Sequence, residues 1–195
     1  MRQCSSSCNG YFNGRFGYSK QFLISLVGLP GSGKSTVGRQ LARRLNLTFV
    51  DSDHAIEAQL GCSIRDYFER EGEDRFRDVE EAVIDRLTQE PHGVLSTGGG
   101  AALRAANRLH LNQRTRVIYL RSSPDELIRR LRHDINRPLL QVDDPLGRLR
   151  ELHLARDPLY RDTAHYVIET GRPSVTTLVS MIISQLNLAP SQPRN

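Results

Sequence analysis

The chain has no tryptophan, only two methionines and three cysteines, and no long apolar run. Each shortage excludes something. No stretch approaches the roughly 20 apolar residues that a spanning helix requires, so a membrane-embedded protein is not expected. Cys4, Cys8 and Cys62 are odd in number, and two of them sit in a polar tail. They offer neither a disulfide framework nor a metal quartet, and reduced thiols in a cytoplasmic protein are the expectation. No Asn-Lys-x-Asp guanine-reading motif is present, and no nucleic-acid motif with interleaved aromatics. Lysine is the most telling scarcity. Of the 27 Lys+Arg residues, only Lys20 and Lys34 are lysine. A chain that writes its positive charge as arginine keeps a compact ammonium at position 34, where a broad planar guanidinium is a poor replacement.

What is present describes a folded domain with an appetite for anions. Its 195 residues are 38% hydrophobic and 25% charged, enough for one domain with a sizeable core. The net charge of +5 suits an acidic ligand. Arg43 with Arg44, Arg129 with Arg130, and Arg148 with Arg150 read as solvated helix faces rather than a binding stripe. A phosphate-rich small molecule therefore accounts for the charge better than nucleic acid does. Residues 1–20 are rich in Ser, Gly and Asn and contain no acid. They are expected to form a disordered extension, or to reflect an overlong start, since the continuous apolar centre of a secretory signal is missing. Residues 189–195 read as a flexible tail, which leaves a single domain over 21–188.

Residues 28–35 read Gly-Leu-Pro-Gly-Ser-Gly-Lys-Ser and fit the phosphate-binding pattern G-x-x-x-x-G-K-[ST] at every fixed position. The context fits too. An apolar run of strand length, 22–27, precedes the motif, and Val37, Leu41, Ala42 and Leu45 recur at helical spacing after it. A strand, a glycine-rich turn and a helix start leave free backbone N–H groups where the helix dipole favours an anion. Gly31, Ser32, Gly33, Lys34, Ser35 and Thr36 are the candidate nucleotide ligands, with the Ser35 hydroxyl offered to Mg²⁺.

Apolar strand candidates recur at 48–51, 93–96, 117–120 and 166–169. Between them, Phe76, Val79, Val83, Ile84 and Leu87 form one helical stripe, and Leu127, Ile128 and Leu131 another behind a Ser123 cap. A last helix carries Leu178, Val179, Ile182, Ile183 and Leu186, capped by Ser174. This alternation predicts an α/β fold with a parallel sheet covered on both faces, and ligands beyond the carboxyl ends of its strands. The phosphate loop, Asp51 with Asp53, and Gly98-Gly99-Gly100 all follow predicted strands, so all three should open on one crevice.

Asp51 is the candidate Mg²⁺ carboxylate. Asp53 has two readings: a base or orienting group for an attacking hydroxyl, if the strand continues, or the cap of a helix beginning near Ile56. The glycine triplet suggests backbone brought close to a ligand. Arg77 either pairs within its helix or is fixed by Glu80 or Glu81 so that its fork grips a substrate carboxylate.

The phosphate loop, Asp51-Ser-Asp53, Gly72-Glu73 with Phe76-Arg77 and Glu80, Thr97 with the glycine triplet, Asn136-Arg137-Pro138-Leu139-Leu140 and Arg156-Asp157-Pro158-Leu159-Tyr160 occur in order. In these motifs the chain resembles the shikimate kinase family, over about 22–186. The resemblance implies a three-layer α/β/α P-loop kinase fold with a five-stranded parallel sheet. To this it adds a substrate-binding helical segment at about 53–80 and a mobile lid at about 133–143. It implies Mg²⁺-dependent transfer of the ATP γ-phosphoryl group to the 3-hydroxyl of shikimate, by a monomer. Asp53 would bind shikimate hydroxyls and act as base. Arg77 and Arg156 would hold the carboxylate, Gly98, Gly99 and Gly100 would line the ring, and Glu80 would support Arg77. Arg137 would bring the lid to the γ-phosphate, and Arg130 and Arg172 would contact the adenine end. The alternatives are a kinase of the same fold acting on another polyol acid such as gluconate, and a nucleotide-binding switch.

Overall fold

The computed structural model describes residues 22–131 and 144–188. The expectations for 1–20, for the lid at 133–143 with Arg137, and for 189–195 lie outside the described residues.

Parallel strands need long crossovers, and the alternating pattern supplies them with helices. Strands β1 (Leu23–Val27), β2 (Phe49–Asp51), β3 (Gly93–Ser96), β4 (Arg116–Arg121) and β5 (Tyr166–Glu169) form one sheet. Its order is β2-β3-β1-β4-β5, and every neighbouring pair is parallel. The connecting helices are α1 (Lys34–Leu45), α2 (Ser52–Leu60), α3 (Ile64–Leu87), α4 (Ala105–Arg114), α5 (Pro124–Leu131), α6 (Pro145–Thr163) and α7 (Val175–Leu188).

Central β1 is buried along its whole length, which is why all its residues but Ser25 are aliphatic. Its alternate residues serve two cores. Leu23 and Val27 pack with Phe76, Val83, Leu111, Leu127, Leu149 and Tyr160 from α3 to α6. Ile24 and Leu26 pack with Val37 and Leu41 of α1 and Val179 and Ile182 of α7. The result is the expected helix–sheet–helix sandwich. Leu26 and Asp51 both pair with Ser96, so β1, β2 and β3 end level and their following loops open together.

Two predicted caps are observed. Ser123 Oγ accepts from Glu126 N at 3.3 Å while Glu126 Oε2 accepts from Ser123 N at 2.9 Å, a reciprocal capping box. Ser174 Oγ accepts from Thr177 N at 3.2 Å.

The region around Asp53 differs from expectation. Helix α2 begins at Ser52 rather than near Ile56, and Asp51 is its cap, Oδ1 accepting from Asp53 N at 3.1 Å. The strand therefore stops before Asp53, and Asp53 caps nothing. Helix α3 is interrupted at Gly72 (φ 83°, ψ 176°), so the stripe beginning at Phe76 belongs to its second half.

Candidate active site

The glycine-rich turn delivers α1 with its first-turn amides uncovered. Gly33 stands at the helix start with φ 92°, and no side chain caps the helix there. The amides of that first turn are thus left for an anion, and the dipole adds positive potential. Lys34 is buried, its Nζ donating to the carbonyls of Gly28 (2.9 Å) and Leu29 (3.0 Å). Those bonds curl the side chain back over the loop and fix the ammonium at its mouth. A cavity of about 390 Å³ opens there, lined by Gly31, Gly33, Lys34, Ser35 and Thr36 from the loop, with Asp51, Asp53, Thr97, Gly99 and Arg130 around it. Ser32 is also buried in the loop, its hydroxyl without a protein partner.

Hard oxygen donors converge at the start of α1. Ser35 Oγ donates to Asp51 Oδ2 at 2.7 Å and lies 3.3 Å from Ser96 Oγ. Ser96 is a neighbour that sequence reasoning did not single out. Its signal was its position as the last residue of a buried strand level with Asp51. Asp53, projected from the first turn of α2, has a carboxyl pushed above the ordinary aspartate range. Burial is the main cause and the Asp51 charge the next, with Lys34 pulling the other way.

The glycine triplet is required by what stands against it. A Cβ on Gly98 would lie 2.6 Å from Asp53 Oδ1 and 3.2 Å from Glu80 Oε1. One on Gly99 would lie 2.7 Å from Pro30 Cδ, and one on Gly100 would overlap the Arg77 guanidinium. The backbone is flush with Asp53, Glu80 and Arg77 because the glycine triplet carries no side chains.

Arg77 pairs within its helix, with Glu80 as its buried partner. Arg77 Nη1 donates to Glu80 Oε2 at 2.6 Å, and Nη2 and Nε donate to Glu73 Oε1 at 2.9 and 3.2 Å. Glu81 is not a partner; it receives Arg104. Glu80 is 1% exposed, and burial lifts its carboxyl above the usual range, against the Arg77 charge that lowers it. Asp53 and Arg156 also act on Glu80, so four charged groups from α2, α3 and α6 meet beside the triplet. Arg156 Nη1 donates to the Gly99 carbonyl at 3.0 Å, and the Tyr160 hydroxyl donates to the same oxygen.

At the other end of the cavity, Arg130 is tethered through Nη1 to Thr170 Oγ1 (3.1 Å) and Ser122 Oγ (3.4 Å), and through Nη2 to the Thr170 carbonyl. Arg172 lies exposed two residues beyond Thr170, in the turn leading to α7. Arg137 is outside the described residues.

A family model described as shikimate kinase matches residues 30–187. The chain belongs to the shikimate kinase family. A shikimate kinase of Paracidovorax citrulli is 57% identical over 176 residues, which cover 89% of this chain and 96% of that relative. A solved shikimate kinase from Acinetobacter baumannii, in complex with shikimate, superposes with a TM-score of 0.81 at 46% identity, covering 86% of this chain and 94% of that one. A gluconokinase from Sinorhizobium meliloti matches at 17% identity with a TM-score of 0.55, a likeness of fold alone. Membership in the shikimate kinase family makes this chain an ATP-dependent kinase and sets aside the nucleotide-switch alternative.

Proposed function

We propose that the cavity beneath the phosphate loop transfers the γ-phosphoryl group of ATP to the 3-hydroxyl of shikimate, giving shikimate 3-phosphate and ADP. One observation carries the residue assignments. The loop with Lys34, the Asp53 carboxylate and the Arg77–Arg156 pair meet around a single stretch of side-chain-free backbone, Gly98 to Gly100.

Phosphoryl transfer is mostly positioning and charge neutralisation. The loop amides from Gly31 to Thr36 cradle the phosphates, and Lys34 sets a point charge beside the β- and γ-oxygens. Arg130, braced on Thr170, walls the adenine end, with Arg172 beside it. Arg137, outside the described residues, would add a cation where charge accumulates.

Shikimate is a compact acid. Arg77 and Arg156 face its carboxylate from two helices, so a charge-assisted grip at one end of the ring aims a hydroxyl at the phosphate. Asp53 accepts the hydroxyl proton. Its raised affinity for that proton, set by burial, makes it a stronger base than an exposed aspartate. Glu80 keeps Arg77 from folding away.

The donor set fits Mg²⁺. Ser35 Oγ and Asp51 Oδ2 are hard oxygens already 2.7 Å apart. Among the described residues no group of three or more His, Cys, Asp or Glu forms an all-protein cage, which suits an ion that keeps waters and shares phosphate oxygens. Held by Ser35 and Asp51, such an ion would supply positive charge to neutralise the phosphates.

The reading takes a single chain as the working unit. No helix among the described residues is long and apolar enough to cross a membrane. We place the reaction in the cytoplasm, within one domain over 21–188. ADP release measured with shikimate, with gluconate and with water as acceptor tests the proposal. Stimulation by shikimate alone is expected; equal rates with gluconate, or none with shikimate, would overturn it.

A further inference from the structure

Arg156 and Tyr160 reach the Gly99 carbonyl from α6, whose Leu149 and Tyr160 are buried in the core. Pro158 sits inside the helix and lacks an N–H, so the Leu154 carbonyl loses its helical partner. Leu154 itself is 76% exposed. The neighbouring Asp157 adds a polar tether beside that packing. Its Oδ1 accepts from the Tyr119 hydroxyl at 2.8 Å and from Arg121 Nε at 3.0 Å, and its Oδ2 accepts from Arg161 Nε at 2.7 Å. His153 Nε2 stands 3.9 Å away.

Tyr119 and Arg121 are two apart on β4 and so lie on one face of the sheet. Arg121 continues to Glu169 of β5 at 2.8 Å, anchoring the cluster across two strands. The Tyr119 and Tyr160 rings touch at 5.0 Å between centroids, so the strand also sets the ring that reaches Gly99. Burial raises the Asp157 carboxyl, but bonds from Arg161, Tyr119 and Arg121 outweigh it and hold it at about 2. The side chain is thus ionised, and the tether is charge-assisted throughout the neutral range.

We infer that Asp157 is a positioning residue. By tying α6 to β4 it sets the rotation at which Arg156 and Tyr160 meet the Gly99 carbonyl, and hence the aim of Arg156 at the acid substrate. The inference rests on the proposed role of Arg156 as a carboxylate ligand.

Steady-state kinetics of the full chain test it with Asp157→Ala, Asp157→Asn, Arg156→Ala and the two double variants. Asp157→Ala should raise the KM for shikimate about tenfold, with kcat and the KM for ATP changed by less than about twofold. Asp157→Asn keeps an acceptor oxygen for Tyr119 and should recover part of the loss. It also carries the test if the alanine variant fails to fold. Each double variant should be no worse than Arg156→Ala alone, because Asp157 acts through that residue. An analogue with a primary alcohol in place of the carboxylate should bind all the Asp157 variants like wild type. An unchanged shikimate KM in both Asp157 variants, or additive losses in the doubles, would overturn the inference while leaving the Arg156 reading intact. An unchanged shikimate KM in Arg156→Ala would instead sink the carboxylate reading, and the inference with it.

Discussion

Replacing Gly98 by alanine separates catalysis from stability in a way the geometry makes quantitative. Gly98 is not among the glycines with positive φ, so its backbone accepts an L-residue. The new methyl, however, would stand 2.6 Å from Asp53 Oδ1, where ordinary contact begins at 3.4 Å. The carboxylate must retreat by about 0.8 Å, the difference between those two distances. Glu80 Oε1, at 3.2 Å, must give by a few tenths of an ångström. Asp53 ends a flexible side chain at the edge of a cavity, so the overpacking cost should fall near the low end of its range, about 1 kcal/mol. Reduced freedom of the unfolded chain offsets about 0.4–1 kcal/mol of that. Tm should then fall by no more than about 4 °C. Activity should respond differently, because a misplacement of about 1 Å costs on the order of 10²-fold, equivalent to about 2.7 kcal/mol of barrier. Coupled ADP release and thermal unfolding on one preparation read both quantities. A near-normal kcat would show that Asp53 does not stand at the reacting centre. A large drop in Tm matching the loss of turnover would show that the glycine is needed for folding rather than for chemistry.

Arg156→Ala removes a charge-assisted contact of about 1.5–3 kcal/mol, so the shikimate KM should rise roughly 10- to 100-fold with the ATP KM nearly unchanged; equal losses for both substrates would contradict the clamp. Asp53→Asn should lower kcat by about 10²-fold or more while nucleotide affinity, read by titration calorimetry, stays within about twofold. The same variant should be more heat-stable than wild type at pH 7–8. A carboxyl raised by burial gives stability that is fully present below the ordinary value of 3.8 and lost as pH rises through its folded value, so the advantage of Asn should shrink toward pH 4. Asp157 carries the opposite sign. Held at about 2 against an ordinary 3.8, it stabilises the fold above 3.8 and loses that effect as pH falls through about 2. The Tm deficit of Asp157→Asn should therefore be widest above pH 4 and close near pH 2.

The sheet and the phosphate loop were legible because their residues answer to local rules. Leu23 to Val27 are buried on both faces and are aliphatic apart from Ser25, and Gly33 and Lys34 occupy fixed places in a motif. The helices covering the substrate side were harder to read. Helix α6 is interrupted by Pro158 and turns a mixed face to its neighbours, so no apolar stripe announces it. Helix α2 starts one residue after a strand that ends in aspartate, a junction whose signal is the Asp51 cap itself. Reading Asp53 as that cap placed the helix start about four residues late. The Arg77 alternatives were undecidable from spacing, because Glu73, Glu80 and Glu81 all lie within one turn of it. Only the fold shows Glu81 turned to Arg104 and Glu80 turned inward. The shared Gly99 carbonyl, which draws together Arg156 and Tyr160, depends on a contact between residues 57 and 61 positions apart, beyond any local pattern.

In the proposed reaction a phosphoryl group leaves ATP on the loop around Lys34 and arrives on a ring hydroxyl held beside Asp53. Phosphorus NMR of the product made from ATP, Mg²⁺ and shikimate tests this most directly. A phosphomonoester resonance coupled to the proton on ring carbon 3, absent with Asp53→Asn on the same timescale, is the predicted result. Inorganic phosphate alone, or an ester on another ring carbon, would contradict it.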